Sequence, residues 1–374
     1  ELLKTHSAMI VICAPYKHLV RQWYEDVKKI FPNENKIMIS SENSSWENEL
    51  TDAIMDSKYN NKGSIIAIST IVSFNLEKFE KIAKKCVMPR MLIVDEAHRL
   101  NEKSGLFQNL GENQVKEIIN AAKCSIFFID KNQRVHIKDY GSIEAIEHFA
   151  KELGAEIEHI KLTSQFRCNG SDGYLAWLDD VLQIEKTANY DGFDFDYDFK
   201  VVDSPEELKE IIFEKNKVKN NARLVAGYCW DWIKAGKNNS NVHDIEIGDF
   251  SMSWNLGNSD TWAIDIDSVN EIGCIHTSQG LEFDYVGVII GNDMRYENGK
   301  IVTDFTERAN TDQSLKGIKG MYKRDSEKAL AIADEIIKNT YRTLMTRGMK
   351  GCYVYCTDSK LADYLKKSIG KEEL

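Results

Sequence analysis

Short, uniformly apolar runs alternate with amphipathic stretches of helical length along most of the chain. "AMIVICAP" (8–15), "SIIAIST" (64–70), "MLIVDEA" (91–97), "CSIFFID" (124–130) and "IEHIKL" (157–162) read as strands. Between them, "KHLVRQWYEDVKKIF" (17–31) places Leu19, Val20, Trp23, Val27 and Ile30 on one helical face. "LEKFEKIAKKC" (76–86), "NQVKEIINAAK" (113–123) and "GSIEAIEHFAKELG" (141–154) read as further helices. Strands this uniformly apolar, separated by helices, indicate a parallel sheet covered on both faces.

Near residue 169 the pattern changes. "DGYLAWLDDVL" (172–182) is helical, and "NYDGFDFDYDFKVV" (189–202) reads as a loop leading into a strand. A second series follows: the helix "PEELKEIIFEKN" (205–216), then the strands "ARLVAGYC" (222–229), "NEIGCIHTSQG" (270–280) and "YVGVIIG" (285–291). The long helix "SEKALAIADEIIKNTYRTLMTRG" (326–348) and the strand "GCYVYC" (351–356) close it. The pattern predicts two α/β lobes, 1–168 and 169–374, with an irregular, Trp-rich insertion in the second near 234–270.

A length of 374 residues allows each lobe its own core. No apolar run approaches the ~18 residues of a membrane span, and no signal-peptide pattern opens the chain. The expectation is a cytoplasmic protein with no membrane partner. Eight scattered cysteines without a C-x-x-C pair fit reduced core thiols in a cytosolic setting. A net charge of −11 argues against a protein that coats nucleic acid. It leaves room for one that grips a strand in a local cleft.

Chemistry enters at the strand ends. Asp95 and Glu96 follow the run Met91–Val94, and residues just past a parallel strand line the ligand crevice. An Asp there can hold Mg2+ and a Glu can polarise an attacking water; the alternative is a solvated acidic turn. Gln133 repeats the layout one strand later and can sense a terminal phosphate. Gln165 and Arg167 close the next run, where a guanidinium fork matches phosphate oxygens. Thr277, Ser278, Gln279 and Gly280 form a hydroxyl- and amide-rich turn before Glu282, suited to bridging nucleotide and nucleic-acid backbone. Arg342 and Arg347 lie near a helix end, where one could act as an arginine finger or simply complement the helix dipole.

In order, "VDEAHRLNEKSG", "FFIDKNQRV", "LTSQFRCNGSDGYLAWLDDVL", "ARLVAGYCWDW", "HTSQGLEFDYVGVIIG" and "YRTLMTRGMKGCYVY" resemble the motifs of superfamily 1 helicases. More closely, residues 91–370 resemble the Schlafen group 3-type DNA/RNA helicase domain, a family of P-loop NTPases. The resemblance implies two RecA-like lobes, ATP and Mg2+ as cofactors, and single-stranded DNA or RNA as partner. It implies magnesium and water roles for Asp95 and Glu96, a sensor role for Gln133, and phosphate contacts for Arg167 and Arg347. It also implies nucleotide-side positions for Gln165, Gly280, Glu282 and Arg342, and a coupling turn over 279–282. Residues 1–90 look more like the early motifs of superfamily 2 helicases, implying backbone contacts from Pro15, Tyr16, Ser69 and Thr70, with Thr277, Ser278 and Gln279 joining from the second lobe.

No G-x-x-x-x-G-K-[ST] phosphate loop occurs in the sequence. The motif order places it just before "ELLK", the last turn of the helix it would precede. The expectation is a first lobe truncated at its N-terminus, from a parent that can carry an upstream nuclease or recognition module. Two readings stay open: most of an ATP-dependent helicase or translocase, or a helicase-like nucleic-acid-binding scaffold that hydrolyses nothing. A metal-dependent nuclease on Asp95 and Glu96 lacks the further carboxylate and Lys cluster it would need.

Overall fold

The computed structural model describes residues 7–60, 63–74, 77–104, 111–162, 167–187, 197–233, 239–256, 262, 265–278 and 281–369. The chain divides into two compact units, Glu1–Lys131 with Lys138–His159, and Asn132–Ile137 with Ile160–Leu374. Relative to a division at 168/169, residues 160–168 and the short segment 132–137 fall with the second unit. The helical turn expected at 1–4 lies outside the described residues.

The first unit is built on β1 (Met9–Ala14), β2 (Asn35–Ile39), β3 (Ile65–Thr70), β4 (Arg90–Val94) and β5 (Cys124–Phe127). They form one sheet in the order β2-β3-β1-β4-β5, every pair parallel. The central β1 and β3 are buried along their whole length, which is why they read as unbroken apolar runs. Their alternation still sorts them. Ile10 and Ile12 pack with Leu19, Val20 and Val27 of the helix Lys17–Ile30. Met9, Val11 and Cys13 point the other way, into a cluster holding Trp46, Leu50 and Val115.

Two departures have clear causes. β2 and the helix Trp46–Asn60 supply elements the apolar pattern did not mark, because β2 is a half-buried flank and that helix is weakly amphipathic. Residues 157–162, expected as a strand, join no sheet among the described residues; Ile160 is 78% and Leu162 71% exposed, in the stretch where one unit gives way to the other.

The second unit contains β6 (Asp198–Val201), β7 (Ala222–Ala226), β8 (Ile245–Ile247), β9 (Phe250–Trp254), β10 (Glu271–Gly273), β11 (Phe283–Ile290) and β14 (Gly348–Cys356). Their order is β6-β14-β11-β7-β10-β9-β8, parallel except for the β8–β9 pair. β12 (Met294–Glu297) and β13 (Lys300–Thr303) make a separate hairpin. The helix Ser326–Met345 buries Ala333, Ile336, Ile337 and Leu344 in a core with Val286 and Val354. The opposite face packs Leu208 and Ile212 of the helix Pro205–Val218 against Leu224 and Ile289.

The region 234–270 is therefore not wholly irregular, since β8 and β9 extend the sheet. Buried carboxylates organise it. Asp244 accepts the amides of Ile233 (2.8 Å) and Trp254 (3.0 Å), and Glu271 accepts the Trp262 indole (2.7 Å) and the Leu256 amide. Among the described residues, no helix is long and apolar enough to cross a membrane.

Candidate functional site

In the first unit the carboxyl ends of β1, β3 and β4 lie side by side, with Ala14 opposite Thr70 and Cys13 opposite Val94. Asp95 extends the ladder by one residue, its amide donating to the Cys13 carbonyl at 2.8 Å. Its side chain is held at both oxygens. Oδ2 accepts the indole N–H of Trp23 at 2.7 Å and Oδ1 accepts the Glu96 amide at 3.0 Å. Each carboxylate oxygen retains a lone pair for a cation or a water.

Glu96 sits in the left-handed region, at φ 50° and ψ 48°, a conformation costing a non-glycine residue about 1–2 kcal/mol. Neighbouring bonds hold the turn in place. The Ala97 amide donates to Phe128 at 2.8 Å, and the Arg99 amide to the Glu96 carbonyl at 2.9 Å. The amides of Tyr140 and Gly141 both donate to the Leu100 carbonyl, at 2.7 and 3.2 Å. Gly141 comes so close that a Cβ on it would lie 1.8 Å from the Ala97 carbonyl oxygen. The Glu96 carboxylate lies 3.2 Å from Nε2 of His98, whose ring is buried.

Behind this turn, Nη1 of Arg99 donates to both carboxylate oxygens of Asp139 (2.9 and 3.2 Å) and its Nη2 donates to the Tyr16 hydroxyl. Burial opposes the Arg99 charge, but Tyr16 and Asp139 outweigh it and its pKa rises. Burial pushes the Tyr16 phenol up, against the pull of Arg99. Two adjacent carboxylates at a strand end suit a hard cation such as Mg2+, which takes one or two carboxylates and completes its shell with water or substrate oxygens. No described cluster of three His, Cys, Asp or Glu side chains could cage a metal alone.

Of the first unit's expected strand contacts, Tyr16 is half-buried with its hydroxyl on Arg99, and Pro15 beside it is half-buried. Ser69 is fully buried and donates to the Thr70 carbonyl at 2.9 Å. Thr70 caps the following turn, its hydroxyl accepting the Ser73 amide at 3.0 Å and donating to the Ser73 hydroxyl at 2.9 Å.

In the second unit the structure brings Gln133, Arg347 and Leu281 together. Arg347, buried, donates to Gln133 Oε1 at 3.1 Å and to the Leu281 carbonyl at 3.4 Å. Thr277 accepts the Cys274 amide at 2.8 Å, the buried Ser278 hydroxyl donates to the Cys274 carbonyl at 2.9 Å, and Glu282 is exposed. Arg342 is not part of this group. Its guanidinium forks onto Asp179 of the helix Asp172–Val181, the second prong at 3.0 Å. Arg347 lies past the end of the helix Ser326–Met345, in the link to β14, so the two arginines share no helical face. Gln165, Gln279 and Gly280 lie outside the described residues, as does the Arg167 side chain; the Arg167 backbone opens the short turn Arg167–Gly170.

Sequence reasoning missed Trp23, His98, Arg99 and Asp139. The "DEAHR" run pointed to two of them, but their partners lie up to 83 residues away. It also missed a buried network in the second unit. Arg308 pairs with Asp293 at 3.2 Å and Asp312 at 2.9 Å and donates to Ser314 at 2.9 Å. The Tyr341 hydroxyl donates to Asp293 and accepts the Gly291 amide at 3.0 Å.

A family model for the Schlafen group 3 DNA/RNA helicase domain matches residues 19–358. The match runs upstream of residue 91, through the stretch whose sequence looks closer to superfamily 2. An uncharacterized protein of Saccharomyces cerevisiae is 27% identical over 332 residues, spanning 82% of this chain and 70% of that protein. A solved structure of S. cerevisiae Dbp5 bound to Gle1 and IP6 is 13% identical and covers 97% of this chain and 74% of that chain, at a TM-score of 0.37. At that score the likeness is too loose to bear on the site.

Proposed function

The chain belongs to the Schlafen group 3 DNA/RNA helicase domain family, and from that membership we propose that it works as the core of an ATP-dependent helicase or translocase on single-stranded nucleic acid. Its α/β fold of mostly parallel sheets flanked by helices is the RecA-like fold of such helicases. The observation that carries the reading is the Asp95–Glu96 pair at the end of β4, oriented at both Asp95 oxygens and kept in a strained turn at Glu96. In this reading Asp95 holds Mg2+, directly or through water, and Glu96 takes a proton from a water, with His98 fixing the carboxylate. Mg2+, when bound, supplies charge neutralisation to a phosphoryl group.

The donor set fits magnesium but not a whole nucleotide. The sequence offers no glycine-rich loop of backbone amides and no following Lys to cradle a triphosphate, so no step is assigned to phosphate binding. Nucleotide binding by this chain alone is accordingly expected to be weak or absent.

A second reading, a non-catalytic scaffold that binds nucleic acid, draws support from Arg342, committed to Asp179 rather than free for a phosphate. Phosphate release at millimolar ATP, with and without single-stranded DNA or RNA, separates the two. Strand-stimulated turnover that disappears in Glu96→Gln supports the motor; no turnover in either protein supports the scaffold.

A further inference from the structure

Residues 316–328 of the second unit hold five cationic side chains against two carboxylates, in a chain whose net charge is −11. Lys319 and Lys323 stand four apart on the helix Ile318–Arg324, with Lys316 just before it and Arg324 at its end. All four are exposed. Like charges at this spacing repel along a helix by a few tenths of a kcal/mol, and none of the four forms an ion pair with a described carboxylate. The carboxylate nearest in sequence, Asp325, is occupied in capping the next helix through the Lys328 amide at 3.0 Å. An anion would relieve this repulsion.

An exposed aromatic ring lies within it. Tyr322, on the same helix, rests at an angle on Phe305 (5.5 Å between ring centres) and stays 43% exposed. From another part of the unit, the backbone of the half-buried Trp232 joins the loop 309–311 that Lys319 also reaches. The Trp232 amide donates to the Thr311 hydroxyl at 3.1 Å, and Lys319 reaches Asn310 of the same loop at 3.4 Å. Exposed cations together with aromatic side chains match the two repeating parts of a nucleic-acid strand, charged phosphates and flat bases.

We propose that Lys316, Lys319, Lys323 and Arg324, with Tyr322 and Trp232, form a binding surface for single-stranded nucleic acid on the second unit, apart from the 277–282 turn. The cations take the phosphates and the rings take stacked bases. This inference rests on the reading of the chain as one that handles a single strand, and it adds a location that no helicase motif supplies.

The test is fluorescence anisotropy of labelled 20-nucleotide oligo(dT) and oligo(U) over a range of salt concentrations, using the full chain. Lys316→Gln/Lys319→Gln/Lys323→Gln should weaken binding at least about tenfold at low salt. It should also flatten the log–log salt dependence by about 2, the share of three phosphate contacts to a single strand. Tyr322→Ala should weaken binding about 5- to 100-fold with the salt dependence unchanged, since stacking releases no counterions. Circular dichroism melts establish that the variants remain folded. Wild-type binding with an unaltered triple variant overturns this surface and leaves the strand reading standing. A wild-type chain that binds neither oligonucleotide overturns both.

Discussion

Replacing Gly141 with alanine asks whether the Asp95–Glu96 turn is held by backbone packing against the segment 139–141. The added Cβ would lie 1.8 Å from the Ala97 carbonyl oxygen, 2.8 Å from its carbon and 3.1 Å from the His98 Cα. A tolerable carbon–oxygen contact is about 3.3 Å, so one backbone must recede by about 1.5 Å. The atoms in the way are main chain, with no flexible side chain to rotate aside. Overpacking of this kind costs about 1–3 kcal/mol. The displacement also falls on the residues next to Glu96, and a 1 Å misplacement of a reacting group costs about 10²-fold in rate. Urea unfolding followed by circular dichroism reads the first effect, and strand-stimulated phosphate release reads the second. Gly154→Ala is the control. Gly154, unlike Gly141, is in the left-handed region, at φ +68°, but nothing lies within 4 Å of its new Cβ, so only about 1 kcal/mol of backbone strain is expected. A Gly141→Ala protein within about 0.5 kcal/mol of wild type, with unchanged turnover, would refute the reasoning.

Other perturbations follow from the same contacts. Arg308→Leu strands Asp293 and Asp312 in the core and should cost about 3–5 kcal/mol in urea unfolding; adding Asp293→Asn and Asp312→Asn should recover part of that loss. Arg342→Ala and Asp179→Ala should destabilise equally, and the double variant should cost far less than their sum, whereas additive losses would dissolve the pair. Trp23→Phe removes a charge-assisted bond to Asp95 and should cost about 1.5–3 kcal/mol. It should also abolish any Mg2+-dependent change in tryptophan emission; a change that persists would detach Trp23 from the cation site.

The doubly covered sheets were legible because burial on both faces forces runs such as "MIVICA" and "VGVII" to be apolar throughout. Elements stabilised by distant polar partners were not. β8 and β9 lie in a polar stretch whose order depends on Asp244 and Glu271, carboxylates that look solvated until their amide and indole donors are brought together. The run 157–162 failed in the opposite sense, since apolar residues in a connection imitate a strand with no neighbour to pair with. At the site, "VDEAH" after β4 was readable as a carboxylate turn. The restraint on Asp95 comes from Trp23, 72 residues earlier, on a face where an indole reads simply as core. Arg342 shows the limit of motif order, because the pattern could place an arginine near a helix end but could not see Asp179 waiting for it.

If the chain is the core of such a motor, nucleotide and single strand act on one another through it. Coupling between two ligands is reciprocal, so the most direct measurement is strand affinity by anisotropy with and without a millimolar, non-hydrolysable ATP analogue and Mg2+. Strand affinity should change by at least about fivefold, with the strand shifting analogue affinity by the same factor. A strand affinity indifferent to the analogue, at concentrations where calorimetry shows the analogue bound, would contradict that reading.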